Sequence, residues 1–192
     1  MNCCGIILSG GKSSRMGTDK SLLSLGTKTV IEQITDEMNT VVSQLAIITN
    51  QPEKYDFLTY QKIADRYPGK GPLAGLETAL YHIDASVYIC AACDMPFIQR
   101  DVYHFLLRKL NHYDAVIPVY KDRMHPLSGI YTKKMQPFIQ QQLENDALKV
   151  KDIFSFGNVH FLHEFGSIPD HLLHKHFFNM NHPEEYEEAK HF

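Results

Sequence analysis

GIILSGGKSSRMGTDK, residues 5–20, opens with the apolar run Ile6-Ile7-Leu8 and then breaks into Gly, Ser and basic side chains. A run this short and this apolar reads as a strand buried on both faces of a parallel sheet, emptying into a loop. Gly10 and Gly11 let main-chain N–H groups approach an anion with no Cβ in the way. Lys12, Arg15 and Lys20 add three cations within nine residues. Backbone donors that fix geometry, a forked guanidinium and point-charge ammonium groups are together what a triphosphate requires.

Two familiar phosphate loops do not match. The dinucleotide fingerprint G-x-G-x-x-G fails because Gly10 and Gly11 are adjacent and Gly17 comes six residues after Gly11. The P-loop G-x-x-x-x-G-K-[ST] would end well at Gly11-Lys12-Ser13, but its leading glycine falls on Ile6.

The stretch from Leu8 to Lys20 instead resembles L-[AS]-G-G-x-S-x-R-M-G-x-D-K, the opening signature of the molybdenum cofactor guanylyltransferase family. Ser9 stands where alanine is most common, a small-for-small exchange. A looser form of the pattern opens many nucleotidyltransferases, including sugar-phosphate and molybdopterin cytidylyl enzymes. The resemblance implies an α/β, single-domain, Rossmann-like nucleotidyltransferase fold, with a mostly parallel sheet and helices on both faces.

With 192 residues, 44% of them hydrophobic, the chain suits one domain, residues 1–192. Residues 1–100 or so would form the nucleotide-binding half and residues 101–192 the acceptor-binding half. A net charge of −3 and a pI near 6.4 argue against nucleic-acid or anionic-membrane partners, so the loop cations must act on a small ligand. No apolar stretch approaches the ~20 residues of a membrane span and no signal peptide opens the chain, so a cytoplasmic protein is expected. Cys3, Cys4, Cys90 and Cys93 fall in or beside buried strands and are expected as reduced core thiols, adjacent Cys3 and Cys4 on opposite faces. The C-x-x-C at Cys90 and Cys93 ends a strand rather than opening a helix, which disfavours a redox role.

Hydrophobic spacing predicts a helix over 29–42, a strand over 44–50, a surface connection over 51–60 and a short strand over 63–65. A Gly/Pro-rich loop over 66–75 then leads into a helix over 73–83, followed by a strand over 87–93, a helix over 101–110 and a strand over 115–119. This alternation calls for right-handed crossovers, and ligands on such sheets bind beyond the carboxyl ends of the strands. Gly10, Asn50, Asp65 and Asp94 fall there. The second half departs from simple alternation, with a turn and strand over 125–131, a helix over 135–143, a strand over 158–163 and a turn before a short acidic helix over 184–190.

Asp94 is the candidate metal ligand, because Mg²⁺ commonly takes one or two protein carboxylates and completes its shell from phosphates and water. Spacing alone allows an ordinary turn cap equally well. The family carries its magnesium aspartate in C-D-[MQ]-P-F, here Cys93 to Phe97, and its base-bordering G-P-L-A-G, here Gly71 to Gly75. The resemblance also assigns Leu8, Ser9, Gly10, Gly11, Lys20, Asn50, Asp65, Gly71, Gly75 and Asp94 to GTP, with Arg15, Lys20 and Asp94 catalytic. Turn residues His125, Ser128, Asn179 and Asn181, with Pro126 and Pro183, resemble H-P-x and N-x-N-x-P segments on the molybdopterin side, and His125, Asn179 and Asn181 are the acceptor candidates. His160, His163, His171, His174 and His176 read as a polar surface cluster.

The function implied is Mg²⁺-dependent transfer of GMP from GTP to molybdenum-bound molybdopterin, with hand-over contacts to other molybdenum cofactor biosynthesis proteins. The alternatives are a nucleotidyltransferase with another base or acceptor, and a nucleotide-binding module without catalysis.

Overall fold

The structure is a computed structural model and describes residues 2–10 and 19–192. The first half comprises β1 (Cys3–Leu8), a hairpin of β2 (Ser24–Leu25) and β3 (Lys28–Thr29), α1 (Val30–Asn39), β4 (Gln44–Ile48), β5 (Gln61–Ile63), α2 (Gly71–His82), β6 (Val87–Ala92) and α3 (Arg100–Leu110). The second half adds β7 (Ala115–Tyr120), β8 (Arg123–Met124), β9 (Ile130–Thr132), α4 (Gln136–Glu144), β10 (Val159–Leu162), α5 (Asp170–His176) and α6 (Pro183–Ala189).

The main sheet runs β10-β7-β9-β6-β1-β4-β5, with β8 paired to β7. β1 is flanked by β4 and β6, both parallel to it, so Leu8 lies level with Ile48 on one side and Ala92 on the other. The chain fills the β4 side first and then crosses to β6, which makes the carboxyl end of β1 the point where strand order reverses. A crevice opens at such a point. Within this sheet, among the described residues, only β8 and β9 run antiparallel to their neighbours. The chain reverses after β7 at Lys121 and Asp122, both left-handed with φ of 50° and 58°, and β9 then slots between β7 and β6.

Alternation along β1 sorts the core. Cys4, Ile6 and Leu8 pack with α2 and α4, whereas Ile7 packs with α1, α3 and the C-terminal helices. Cys3 and Cys4 join opposite clusters, as expected of neighbours in a strand. Helix α1 begins with a reciprocal capping box, in which Thr29 Oγ1 accepts from Glu32 N and Glu32 Oε2 accepts from Thr29 N at 2.7 Å. It stops at Asn39, short of the predicted residue 42. The Gly/Pro segment gives way to helix earlier than its composition suggested, because Pro72 suits the first turn of α2. Among the described residues no helix is long and apolar enough to cross a membrane.

Two glycines set close approaches. A Cβ on Gly5 would lie 2.6 Å from Met38 Cγ and 2.8 Å from Leu45 Cδ1, so α1 reaches the central strand only because that side chain is missing. Gly75 presents the same economy at the opposite face, where a Cβ would come within 3.2 Å of Leu8 Cδ2. Gly5→Ala should overpack the α1 face and cost about 1–3 kcal/mol. Urea unfolding followed by circular dichroism measures it, and an unchanged midpoint would show that α1 shifts without strain.

Candidate active site

The ladder continues one step past the strand ends. Ser9 N donates to Ile48 O at 2.9 Å, Thr49 N to Ile63 O at 2.9 Å, and Cys93 N to Leu8 O at 3.2 Å. Four neighbouring strands therefore deliver Ser9, Asn50, Asp65 and Asp94 side by side along one edge. Gly11 and Arg15 lie outside the described residues; Gly10 is described, and a Cβ there would meet nothing within 4 Å.

The far side of the loop is anchored by a residue that sequence reasoning placed on the surface. Tyr55, in the segment read as a surface connection, is buried, and its hydroxyl lies 2.5 Å from Ser9 Oγ and 2.8 Å from Ser21 Oγ. Ser21 Oγ donates onward to Asp19 Oδ1 at 2.8 Å, and Asp19 Oδ2 takes Lys54 Nζ at 2.8 Å. Burial acts to raise the Asp19 pKa, but hydrogen bonds from Lys54 and Ser21 prevail and hold it below the usual carboxylate value. The chain on either side of the loop, at Ser9 and at Ser21, is thus tied to one phenol, with Lys20 between Asp19 and Ser21. No spacing signal marked Tyr55; it is one of three aromatics, with Phe57 and Tyr60, in a segment of mixed polarity beside Pro52, and nothing local separates it from the exposed Phe57.

At the other side of the crevice, Asn50 Nδ2 donates to Asp65 Oδ2 and Asp65 N donates back to Asn50 Oδ1, both at 2.9 Å. Burial raises the Asp65 pKa, with the Asn50 bond opposing it. Gly75 packs beside this carboxylate, with Leu8 and Ile48 completing an apolar floor. Gly71 stands at the start of α2 with φ of 70°, a conformation that glycine adopts without penalty.

Asp94 follows β6 and is partly buried. Burial raises its pKa, Lys20 opposes that rise most strongly, Glu185 adds to it and Arg123 opposes it. Lys20 Nζ donates to Asn181 Oδ1 at 3.0 Å, and Met180 N donates to Asp94 O at 2.8 Å. Asn181, assigned from sequence to the acceptor alone, therefore touches the loop lysine as well. The donor chemistry suits a hard divalent cation, since Asp94 is a single desolvated carboxylate beside a cation whose described partner is a neutral amide.

A cavity of about 330 Å³ adjoins this point, lined by His125, Asn179, Asn181, Phe177, Lys121 and Arg123 among others. All three acceptor candidates meet there. The His125 ring lies 4.4 Å from that of Phe177, and burial lowers the His125 pKa to about 4, so a neutral imidazole faces the cavity. Lys121 and Arg123 escaped the sequence reading because their place over the cavity depends on the β7–β8 reversal.

Two expectations need correction. Ser128 does not face the cavity; it is fully buried and its Oγ lies 2.7 Å from His176 Nε2. His176 is not a surface residue either, for it closes α5 inside the core, where its Nδ1 accepts from Gln99 N at 2.8 Å. With Nδ1 accepting, Nε2 carries the proton and donates to Ser128 Oγ, and burial lowers the His176 pKa to about 3. The spacing of Leu173 and His176 on one helical face was the available signal.

Residues 5–158 match the family model described as a MobA-like NTP transferase domain. A "Probable molybdenum cofactor guanylyltransferase" of Carboxydothermus hydrogenoformans is 39% identical over 183 residues, covering 94% of this chain and 91% of the relative. A protein of the same name from Clostridium perfringens is 36% identical over 188 residues, 95% of this chain and 93% of its own. Among solved structures, molybdopterin-guanine dinucleotide biosynthesis protein A of Archaeoglobus fulgidus is similar with a TM-score of 0.86 at 25% identity, covering 98% and 97% of the two chains.

Tyr55→Phe removes the hydroxyl that joins Ser9 and Ser21 and leaves Ser9 Oγ short of a partner, a loss of about 1–3 kcal/mol for a buried group. The loop anchors should loosen, and calorimetric titration with Mg²⁺–GTP should show affinity reduced about tenfold or more. Undiminished affinity would mean that the phenol holds the fold and not the loop.

Proposed function

The chain belongs to the MobA-like NTP transferase family, within which it stands beside the molybdenum cofactor guanylyltransferases, and we propose that it transfers GMP from GTP to molybdenum-bound molybdopterin, releasing pyrophosphate. It is a nucleotidyltransferase by family. The observation that supports the full reading is the contact between Lys20 and Asn181, which joins a lysine expected on phosphates to a cavity expected to hold the acceptor.

The base lies at the Asn50–Asp65 side. Guanine presents N1–H and a 2-amino group as adjacent donors, and an ionised Asp65 accepts from both while Asn50 fixes its carboxylate. Leu8 and Ile48, packed against the bare Gly75, offer the flat ring an apolar floor. At the phosphate end, Lys20, Arg15 and the amides around Gly10 and Gly11 hold the β- and γ-phosphates that depart as pyrophosphate.

Asp94 would hold Mg²⁺, which supplies charge neutralisation between the triphosphate and the incoming phosphate. The acceptor phosphate is already anionic, so its oxygen needs no general base to attack the α-phosphorus; the bond to that oxygen forms as the bond to the β-phosphate bridge breaks. What the protein supplies is alignment. The His125, Asn179 and Asn181 side chains offer donors and acceptors to the edge of a pterin, and Phe177 offers a ring to its face. We place this activity in the cytoplasm, with transient contacts to the proteins that deliver and receive the cofactor.

Pyrophosphate release on mixing protein, GTP, Mg²⁺ and molybdopterin tests the assignment directly. Thermal shifts with GTP, CTP, UTP and ATP separate it from a transferase of another base, since only a nucleotide bound by the native state raises the melting point. Asp94→Asn keeps the shape of the side chain and loses the charge that a hard cation requires. Turnover should fall by at least about a hundredfold and GTP affinity should lose its dependence on Mg²⁺. A variant with the parent Mg²⁺ titration curve would remove Asp94 from the metal.

A further inference from the structure

Glu77 lies in the middle of α2 with none of its surface exposed, a rare position for a carboxylate. Its Oε1 accepts from the Arg66 guanidinium and, at 3.1 Å, from the Gln136 amide of α4, while Oε2 has no hydrogen-bond partner among the described residues. A desolvated and half-satisfied carboxylate is a poor stabiliser, since an apolar pair of similar volume commonly holds helices together as well. What it holds is therefore the more telling fact.

Arg66 is gripped three times by α2. Its guanidinium pairs with Glu77 and lies 3.4 Å from the centroid of the Tyr81 ring, and its backbone N–H donates at 2.9 Å to the Oγ1 of Thr78, itself fully buried. Arg66 also directly follows Asp65. A free guanidinium next to a carboxylate tends to close a bidentate pair, which would occupy both oxygens. Here the described partner of the Asp65 carboxylate is the neutral Asn50 amide, and the arginine is turned away onto the helix.

We propose that Glu77 is a positioning residue for nucleobase selection, sequestering Arg66 on α2 so that the Asp65 carboxylate stays free for the N1–H and 2-amino donors of guanine. This rests on the assignment of Asp65 to the base under the proposed function. It extends the base site to a residue of α2 that does not touch the nucleotide. The charge of Glu77 matters in this role, and its packing is secondary.

The test compares GTP with ITP, which lacks the 2-amino group, in pyrophosphate release with Mg²⁺ and molybdopterin. Glu77→Gln keeps the shape and gives up the charge, so the preference for GTP, read in KM, should fall about tenfold while kcat stays within about twofold. Adding Arg66→Leu to that variant removes the released competitor, and the double variant should regain the parent preference to within about twofold. A Gln variant with full preference overturns the proposal, and so does a double variant as unselective as the single one. Should the Gln variant fail to fold, the double variant decides alone, because removing both partners of a buried pair is the milder change, and loss of preference there overturns the proposal. Asp65→Asn is run beside them. Unchanged preference in that variant would sink the base assignment itself, whereas preference lost there but kept in Glu77→Gln would overturn only the role of Glu77.

Discussion

The hydroxyl of Tyr55 is the point on which the Ser9–Ser21 end of the crevice depends. The chain on both sides of residues 11–18, at Ser9 and at Ser21, meets the same buried phenol, which fixes the two ends of the stretch proposed to wrap a triphosphate. Because the phenol is removed from water, its two hydrogen bonds compete with no solvent and gain strength from the low local dielectric. Burial also raises its pKa, with the serine bonds opposing that rise, so it remains a neutral donor and acceptor. The Asp19–Lys54 pair extends the same network outward and fixes the chain direction at Lys20.

The sheet supplies the other constraint. Ser9, Asn50, Asp65 and Asp94 each stand one or two residues past a strand end, and backbone bonds carry the ladder past those ends before side chains take over. That placement costs the strands nothing in pairing and leaves the side chains outside the apolar layers. The second half is joined to this edge at Asp94 through Met180, whose buried side chain belongs to the α1–α3 face of the core. Asn179 and Asn181, on either side of that anchor, are thereby set at the cavity wall.

Residues 6–8 were legible because an apolar run of that length followed by Gly-Gly admits few structures, and Asp94 because a strand end is easy to recognise. Direction was not legible: Ile130 to Thr132 has the same pattern whether the strand runs parallel or antiparallel, and only the Lys121–Asp122 reversal decides it. Tyr55 and His176 were misjudged for one reason. Each is a residue type common at surfaces, and each is buried by partners distant in sequence, Ser9 and Ser21 in one case, Gln99 and Ser128 in the other. A local window holds none of that information. The link from Lys20 to Asn181 spans 161 residues and was equally beyond reach.

Charge is distributed differently at the two ends of the crevice, in a way that suits what the proposed function asks of each. At the end proposed for the base, Arg66 is matched in place with Glu77, while Asp65 is steadied by a neutral amide. A nucleobase held there, as proposed, would be uncharged, so its selection would depend on donors and acceptors being left in the right positions, and a loose charge would capture the carboxylate before the base did. At the Lys20 end, proposed for the phosphates, the need is reversed. Among the described residues Lys20 is held by an amide oxygen, which orients an ammonium without neutralising it, as a polyanion would require. Under the proposed function one protein is selective where its ligand is neutral and attractive where its ligand is charged, because Arg66 is matched to Glu77 at the one end and Lys20 is held by a neutral amide at the other.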